Sequence, residues 1–335
     1  MIRAESGVIQ QFVSRWRTTL IPPLLRRHFC LLSKMINELL LIGDLYNGGI
    51  MRKIEQPIKR SKLRSVLGMR YYGLLRKFIW IKKNNLFAKD ISQKNLPHSV
   101  IVHKTILRRQ LKDVDMWMQE NKIVNLQIAS KSINKIIIKP GEIFSYWKLI
   151  GKPTKRKGYL DGMVLHNGKF ISGTGGGLCQ LSNLIFWMTI HTPLTIIERH
   201  RHGYDVFPDS NRTQPFGSGA TCFYPHGDLM IQNNTKDTYQ ILIFIDETHL
   251  NGEIRSSSKP DTYFKILERN HMMKPEYWGG YGRYNELYKQ EYDSENNLIK
   301  EELIVKNSAI MMYSPFLSDS ICNQSEPPEK QIELP

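Results

Sequence analysis

Cys179 closes the run GTGGGLCQLSN, in which Gly175, Gly176 and Gly177 precede a thiol and a long apolar segment. A strand, a glycine turn and a helix would place this sulfur in a first helical turn. Unpartnered N–H groups and the positive end of the helix dipole favour an anion there. Such a site lowers a cysteine pKa and makes the sulfur a nucleophile. The N–H groups of Gly177 and Cys179 would then serve as oxyanion donors. A nucleophile needs a base, and IIERHRHGYDVFP supplies His200 and His202 roughly twenty residues on. Two residues apart on a strand, both rings would point the same way. Asp205 or Asp228 is the candidate for orienting the base.

The same residues admit blander roles. Free cysteine is among the most buried residue types, so Cys179 could simply pack. A phosphate loop fits poorly, because the run lacks the Lys-Ser/Thr of a Walker motif and does not match G-x-G-x-x-G. Cys179, His200, His202 and Cys222 would suffice for tetrahedral zinc, but their spacing is not a compact zinc signature. No metal and no cofactor is expected.

Positioning this chemistry requires a scaffold. CQLSNLIFWMTIHTP is apolar on nearly every face and too short to span a bilayer, so it reads as a buried central helix ended by Pro193. The segments around it read as strands. IIIKPGEIFSYW is a strand, a turn at Pro140-Gly141 and an aromatic-rich strand. GMVLHNGKFISG is a hairpin turning at Asn167-Gly168. ATCFYPHGDLMIQNN suggests a strand pair around Pro225–Asp228. TYQILIFIDETHLNGEIRSS suggests another, turning at Asn251-Gly252. Two long half-exposed strands follow from Tyr277. Residues 92–134 read as mixed loop and helix, with Leu111, Val114, Trp117 and Met118 on one face. The expected class is α+β: a β-rich main domain of hairpins around a buried central helix, with a helical basic N-terminal region. The expected boundaries are 1–110, 111–317 and a Pro- and Glu-rich disordered tail at 318–335.

The net charge of +16 is unevenly placed. Residues 1–90 hold 18 Lys/Arg against 5 Asp/Glu, which leaves the remaining 245 nearly neutral. Within that region KRSKLRSVLGMRYYGLLRKFIWIKK interleaves apolar and basic side chains at helical spacing, predicting an amphipathic helix over 61–83. Such a helix can pack on a domain or lie on an anionic membrane surface. Nucleic acid is not expected, because no nucleic-acid module accompanies the charge. MIRAESGVIQQFVSRW has an early acid and no continuous apolar run, which argues against a secretory leader. Cys30, Cys179, Cys222 and Cys322 lack a framework spacing and read as reduced thiols. The expected location is the cytoplasm, with membrane association through the basic region as the added option.

At these motifs the chain resembles the VanW-like family associated with B-type vancomycin (glycopeptide) resistance. The resemblance is carried by KPGEIFSYWKLIG, by GYLDGMVLHNGKFISGTGGGLCQLSNLIFWMTIHTPLTIIERHRH and by GDLMIQNNTKDTYQILI. EYWGGYGRYNELYKQEY and NSAIMMYSPF extend it. It covers residues 120–317 well and the N-terminal third loosely. It implies an accessory role in glycopeptide resistance or cell-envelope metabolism. It marks Gly175, Gly176, Gly177, Cys179, Gln180, Ser182, Glu198, Arg199, His200 and His202 as the characteristic set. One position departs: where relatives have an Asp-Ala-Thr-Val run, this chain has Gly219-Ala220-Thr221-Cys222. A Cys–His–Asp triad would need Asp205 or Asp228 instead.

Two expectations from different classes follow. In the first, Cys179 attacks a carbonyl of a peptide related to cell-wall precursors, with His200 or His202 as base. Gly175–Gly177, Gln180, Ser182, Glu198 and Arg199 would hold the substrate, Arg199 pairing with a carboxylate. In the second, the protein binds such a precursor or a protein partner without chemistry, and Cys179 only packs.

Overall fold

The run from Cys179 to Ile190 forms the buried helix that its composition predicts. Leu181, Leu184, Ile185, Phe186, Met188 and Ile190 are all at most 2% exposed. Each such side chain stabilises the fold by about 1.5–3 kcal/mol on burial. The computed structural model describes residues 61–108, 115–166, 168–206 and 214–313. The expected helices before residue 61, the Leu111 and Val114 positions, Cys30, Cys322 and the tail at 318–335 lie outside the described residues.

Among the described residues the helical elements α1 to α5 are Lys62–Lys82, Met116–Lys131, Tyr146–Ile150, Lys155–Lys157 (a single 3-10 turn) and Cys179–Ile190, and a further 3-10 turn at Asn84–Leu86 follows α1. The strands are β1 His98–Ile106, β2 Ile136–Ile138, β3 Ile143–Ser145, β4 Asp161–His166, β5 Lys169–Thr174, β6 Thr195–Glu198 and β7 Tyr204–Asp205. Then come β8 Met230–Gln232, β9 Tyr239–Ile245, β10 His249–Ser256, β11 Thr262–Pro275, β12 Tyr281–Asp293 and β13 Leu298–Met311. The architecture is α+β. An antiparallel sheet in the order β1-β10-β9-β2 covers α5, which packs on β1, β10 and β6. A small sheet β3-β8-β6 lies on the other flank, and β4-β5 is a separate hairpin. The long strands form a sheet β11-β12-β13-β7, in which only the short β13–β7 pairing is parallel.

Several elements differ from expectation for identifiable reasons. Asn251-Gly252 is not a turn but lies inside β10, paired with Phe244 and Ile243. The turn falls at Asp246–Thr248, where the Asp246 carboxylate accepts the N–H groups of Thr248 and His249. Gly252 serves a close approach instead: a Cβ there would sit 2.6 Å from Met188 Cε of the central helix. The aromatic run after β3 is helical, because the Ser145 hydroxyl caps it by accepting the Lys148 N–H. The segment at Pro225 forms a tight turn with a single bridge, Phe223 to Gly227, rather than a strand pair. β1 and β11 are further strands: β1 alternates half-buried and exposed positions except at its Ser99–Ile101 bulge but has no fully buried residue, and β11 shows no alternation.

Helix α1 starts at Ser61, whose hydroxyl accepts the Arg64 N–H. It reaches the body through its inner side. Gly73 lies against the Pro225 ring, and Trp80 is 9% exposed beside Tyr224. Among the described residues no helix is long and apolar enough to cross a membrane.

Candidate functional site

The glycines before Cys179 are explained by packing. Gly175 and Gly177 have φ of +79° and +88°, a region costly for other residues. A Cβ at Gly176 would lie 2.1 Å from the Gly162 carbonyl carbon, and one at Gly177 2.2 Å from Lys122 Cγ. The run therefore threads between β4 and α2 with no room for side chains. Asn125 on α2 clamps it, donating to the carbonyls of Gly176 and Leu160 at 2.9 and 3.0 Å. The N–H groups of Gly175 and Gly176 are taken by the carbonyls of Leu160 and Gly173.

Cys179 does sit in the first turn of α5, but its surroundings oppose ionisation. The residue keeps partial exposure, yet burial of the thiol raises its pKa. Its sulfur donates weakly to the Cys222 carbonyl at 3.8 Å. The helix start is also less open than expected, since Gln180 and Leu181 donate their N–H groups to Gly177 and Leu178. No hydrogen bond joins the Cys179 thiol to a histidine among the described residues.

His200 is engaged elsewhere. β6 ends at Glu198 after a bulge, so His200 and His202 follow the strand rather than alternate along it. The Nε2 of His200 lies 2.9 Å from Glu198 Oε1. Arg76, from α1, donates to both oxygens of the same carboxylate at 2.6 and 2.7 Å. The Asp228 N–H adds a third donor at 3.1 Å. Burial works against the Glu198 charge, but His200, Arg76 and this N–H outweigh it and hold the pKa below the ordinary value. His202 makes no hydrogen bond to this carboxylate among the described residues; its backbone N–H donates to Thr221 Oγ1, and burial lowers its ring's pKa.

Around this pair is an exposed aromatic cluster that the spacing of motifs did not reveal. The Phe223 ring is 43% exposed and packs between His200, at 5.3 Å between centroids, and His226, at 4.9 Å. Tyr72 of α1 lies beyond His226 at 6.2 Å. Nδ1 of His226 is buried without a hydrogen-bond partner, and burial lowers the ring's pKa. Nδ1 of His200 likewise makes no hydrogen bond among the described residues, while its side chain is 37% exposed. Only the histidine within a Pro-His-Gly turn could have hinted at His226 from sequence.

The other candidate binding residues serve the scaffold. Ser182 is fully buried and donates to the Ala220 carbonyl at 2.6 Å. Gln180 donates to Thr105 Oγ1 and the Ile106 carbonyl. Arg199 donates to the carbonyls of Gly219 and Gly217 and stacks on Phe186, and burial lowers its pKa to about 9. Gly219 is a close approach as well, since a Cβ there would meet Asn183 Oδ1 at 2.6 Å. The two orienting candidates are also spoken for. Asp205 pairs with the buried Arg283 at 3.1 Å. Asp228 is fully buried, accepting from Ser145, Trp147 N–H and Leu229 N–H, and burial pushes its pKa up to about 7.

A pocket of about 440 Å³ opens between α2 and the β4-β5 hairpin, lined by residues including Trp117, Asn121, Tyr159 and Asp161, and none of the candidate residues borders it. Among the described residues no group of three or more His, Cys, Asp or Glu side chains is placed to hold a metal ion.

Residues 121–255 match the family described as VanW like protein. Over 180 residues the chain is 39% identical to the vancomycin B-type resistance protein VanW of Enterococcus faecalis, covering 54% of this chain and 66% of that protein. A 109-residue stretch is 30% identical to the uncharacterized protein YoaR of Bacillus subtilis, covering 32% and 34% of the two. The chain thus spans less than two thirds of the length of these relatives. No solved structure matches it.

Proposed function

This chain belongs to the VanW-like family, and from that premise we propose that it is an accessory protein of glycopeptide resistance or cell-envelope metabolism that acts by binding. The ligand is a peptide related to cell-wall precursors. It binds at the cluster of Glu198, His200, Phe223 and His226, walled by α1. The observation that carries this reading is the pairing of His200 with Glu198 instead of Cys179. Nδ1 of the part-exposed His200 ring and the exposed Phe223 ring, backed by the His226 ring, form a mixed hydrogen-bonding and apolar surface suited to a peptide. Arg76 and the carboxylate fix the His200 ring, so little ordering is needed on binding.

Calorimetric titration with a synthetic peptidoglycan stem peptide tests this. The wild-type protein and Cys179→Ser should bind alike, and His200→Ala and His226→Ala should each weaken binding about tenfold, the first by loss of a hydrogen bond and the second by loss of the ring that backs Phe223. Unchanged binding in both histidine variants would remove the site. The competing reading, acyl transfer by Cys179, is supported by the cysteine's place at a helix start. Release of product from the stem peptide by wild type and not by Cys179→Ser would establish it instead.

A further inference from the structure

The sequence of α1 contains twelve apolar or aromatic side chains, more than one inner side can bury, and no acidic residue at all. Its inner side is fixed to the body by the Arg76–Glu198 pair, by Gly73 against Pro225 and by Trp80. Among the described residues nothing covers the opposite side. Leu63, Leu67, Leu74, Phe78 and Ile81, spaced by four, seven, four and three residues, fall on one face and are each 56–76% exposed. The stripe runs for roughly 27 Å at 1.5 Å per residue. At 100° per residue, Arg70 and Lys77 border it on one side, and Arg64 and Lys82 on the other; all four are exposed. Tyr71, 41% exposed, lies at its margin.

We infer that this face docks α1 in the plane of an anionic lipid membrane. An apolar stripe of this length in water is unfavourable, and hydrocarbon would remove it from water. The two basic borders are placed for headgroup phosphates, with their alkyl stems along the apolar boundary. The absence of acidic residues means that nothing on the helix repels an anionic surface. A nucleic acid would pair with the charges and leave the stripe wet, so lipid accounts for both features. The inner side stays bound to the body, so the helix lies on the bilayer and does not enter it as a span. Because Arg76 and Tyr72 leave α1 on its inner side, docking would hold the His200–His226 cluster across the helix from the bilayer.

Flotation of the full chain with phosphatidylglycerol–phosphatidylcholine vesicles and with pure phosphatidylcholine vesicles tests the proposal. Wild type should float with the anionic vesicles only, and added salt should weaken it. R70Q/K77Q should lower the partition about 30-fold, and L74E/F78E should abolish it. All four residues are exposed, so thermal unfolding should be unchanged in both variants. Either variant binding like wild type would overturn the proposal by placing the lipid contact elsewhere in the chain, as would equal binding to neutral vesicles. If L74E/F78E instead turns an oligomer into a monomer with vesicle binding intact, the face is a contact between copies and the proposal falls.

Discussion

Glu198 and His200 stand two residues apart and are hydrogen-bonded to each other at 2.9 Å, across the point where β6 stops. The bulge before Glu198 lets the chain leave the sheet, and the ring folds back onto the carboxylate. Arg76 completes the arrangement from another part of the chain, 122 residues away. The arrangement is a carboxylate with two basic partners, and the Cys179 thiol donates elsewhere, to the Cys222 carbonyl.

Glu198→Gln should cost about 3 kcal/mol in stability. Both Glu198 and Arg76 are largely buried, with side chains 20% and 12% exposed, and the substitution leaves the guanidinium without its counter-charge. Urea unfolding of the two proteins measures it. A loss under about 0.5 kcal/mol would mean that the pair behaves as a surface ion pair.

Asp228 should make stability fall as pH rises. Its folded pKa of about 7 lies above the ordinary 3.8, so the folded protein binds this proton more tightly than the unfolded chain. That contribution is fully present below about pH 4 and is lost as pH rises to about 7. The slope is roughly 1.4 kcal/mol per pH unit, an upper bound of about 4 kcal/mol over the window. Asp228→Asn keeps an oxygen for the N–H groups of Trp147 and Leu229 and can donate to Ser145, but it cannot titrate. The stability difference between variant and wild type should therefore shift in the variant's favour from pH 4 to pH 7. Parallel curves would show that Asp228 is ionised throughout.

Three glycine-to-alanine substitutions should grade by space, not by backbone alone. Gly141 has φ of +80° but open surroundings, so alanine there should cost about 1–2 kcal/mol. Gly177→Ala adds a clash with the Lys122 side chain and should cost about 3 kcal/mol or more. Gly176→Ala meets the Gly162 backbone, which cannot move aside, and should prevent folding. Expression with urea unfolding ranks them. Equal losses at 141 and 177 would mean that the Lys122 stem yields.

Composition made some of this legible and concealed the rest. The central helix could be read because eight of the twelve residues in Cys179–Ile190 are apolar and leave no wide polar face, a pattern that burial tolerates. The β4-β5 hairpin could be read because Gly168 supplies a positive φ between two short strands. Asn251-Gly252 carries the same signal and misleads, since nothing local distinguishes a turn glycine from one shaved to admit Met188. The glycine run before Cys179 has the same ambiguity. A ligand approach and a crossing of two backbones both require glycine, and only the position of Gly162 separates them. The partners of Glu198 were hidden by distance in sequence, because an arginine on an amphipathic helix looks like any other until its acid is found.

The reactivity of Cys179 separates the helix-start expectation from the packed environment. The helix dipole favours the thiolate, but burial disfavours it, and burial wins: the pKa lies above the ordinary value. Cys222 is raised further, by its own burial and by the neighbouring Cys179. In a C30S/C322S background, iodoacetamide should modify the native protein at pH 7.5 at least tenfold more slowly than a free thiol, whose pKa is about 8.5. The rate should keep rising beyond pH 9, and denaturation should restore ordinary labelling of both cysteines. A plateau reached below about pH 8 would show a stabilised thiolate and return Cys179 to the candidates for chemistry.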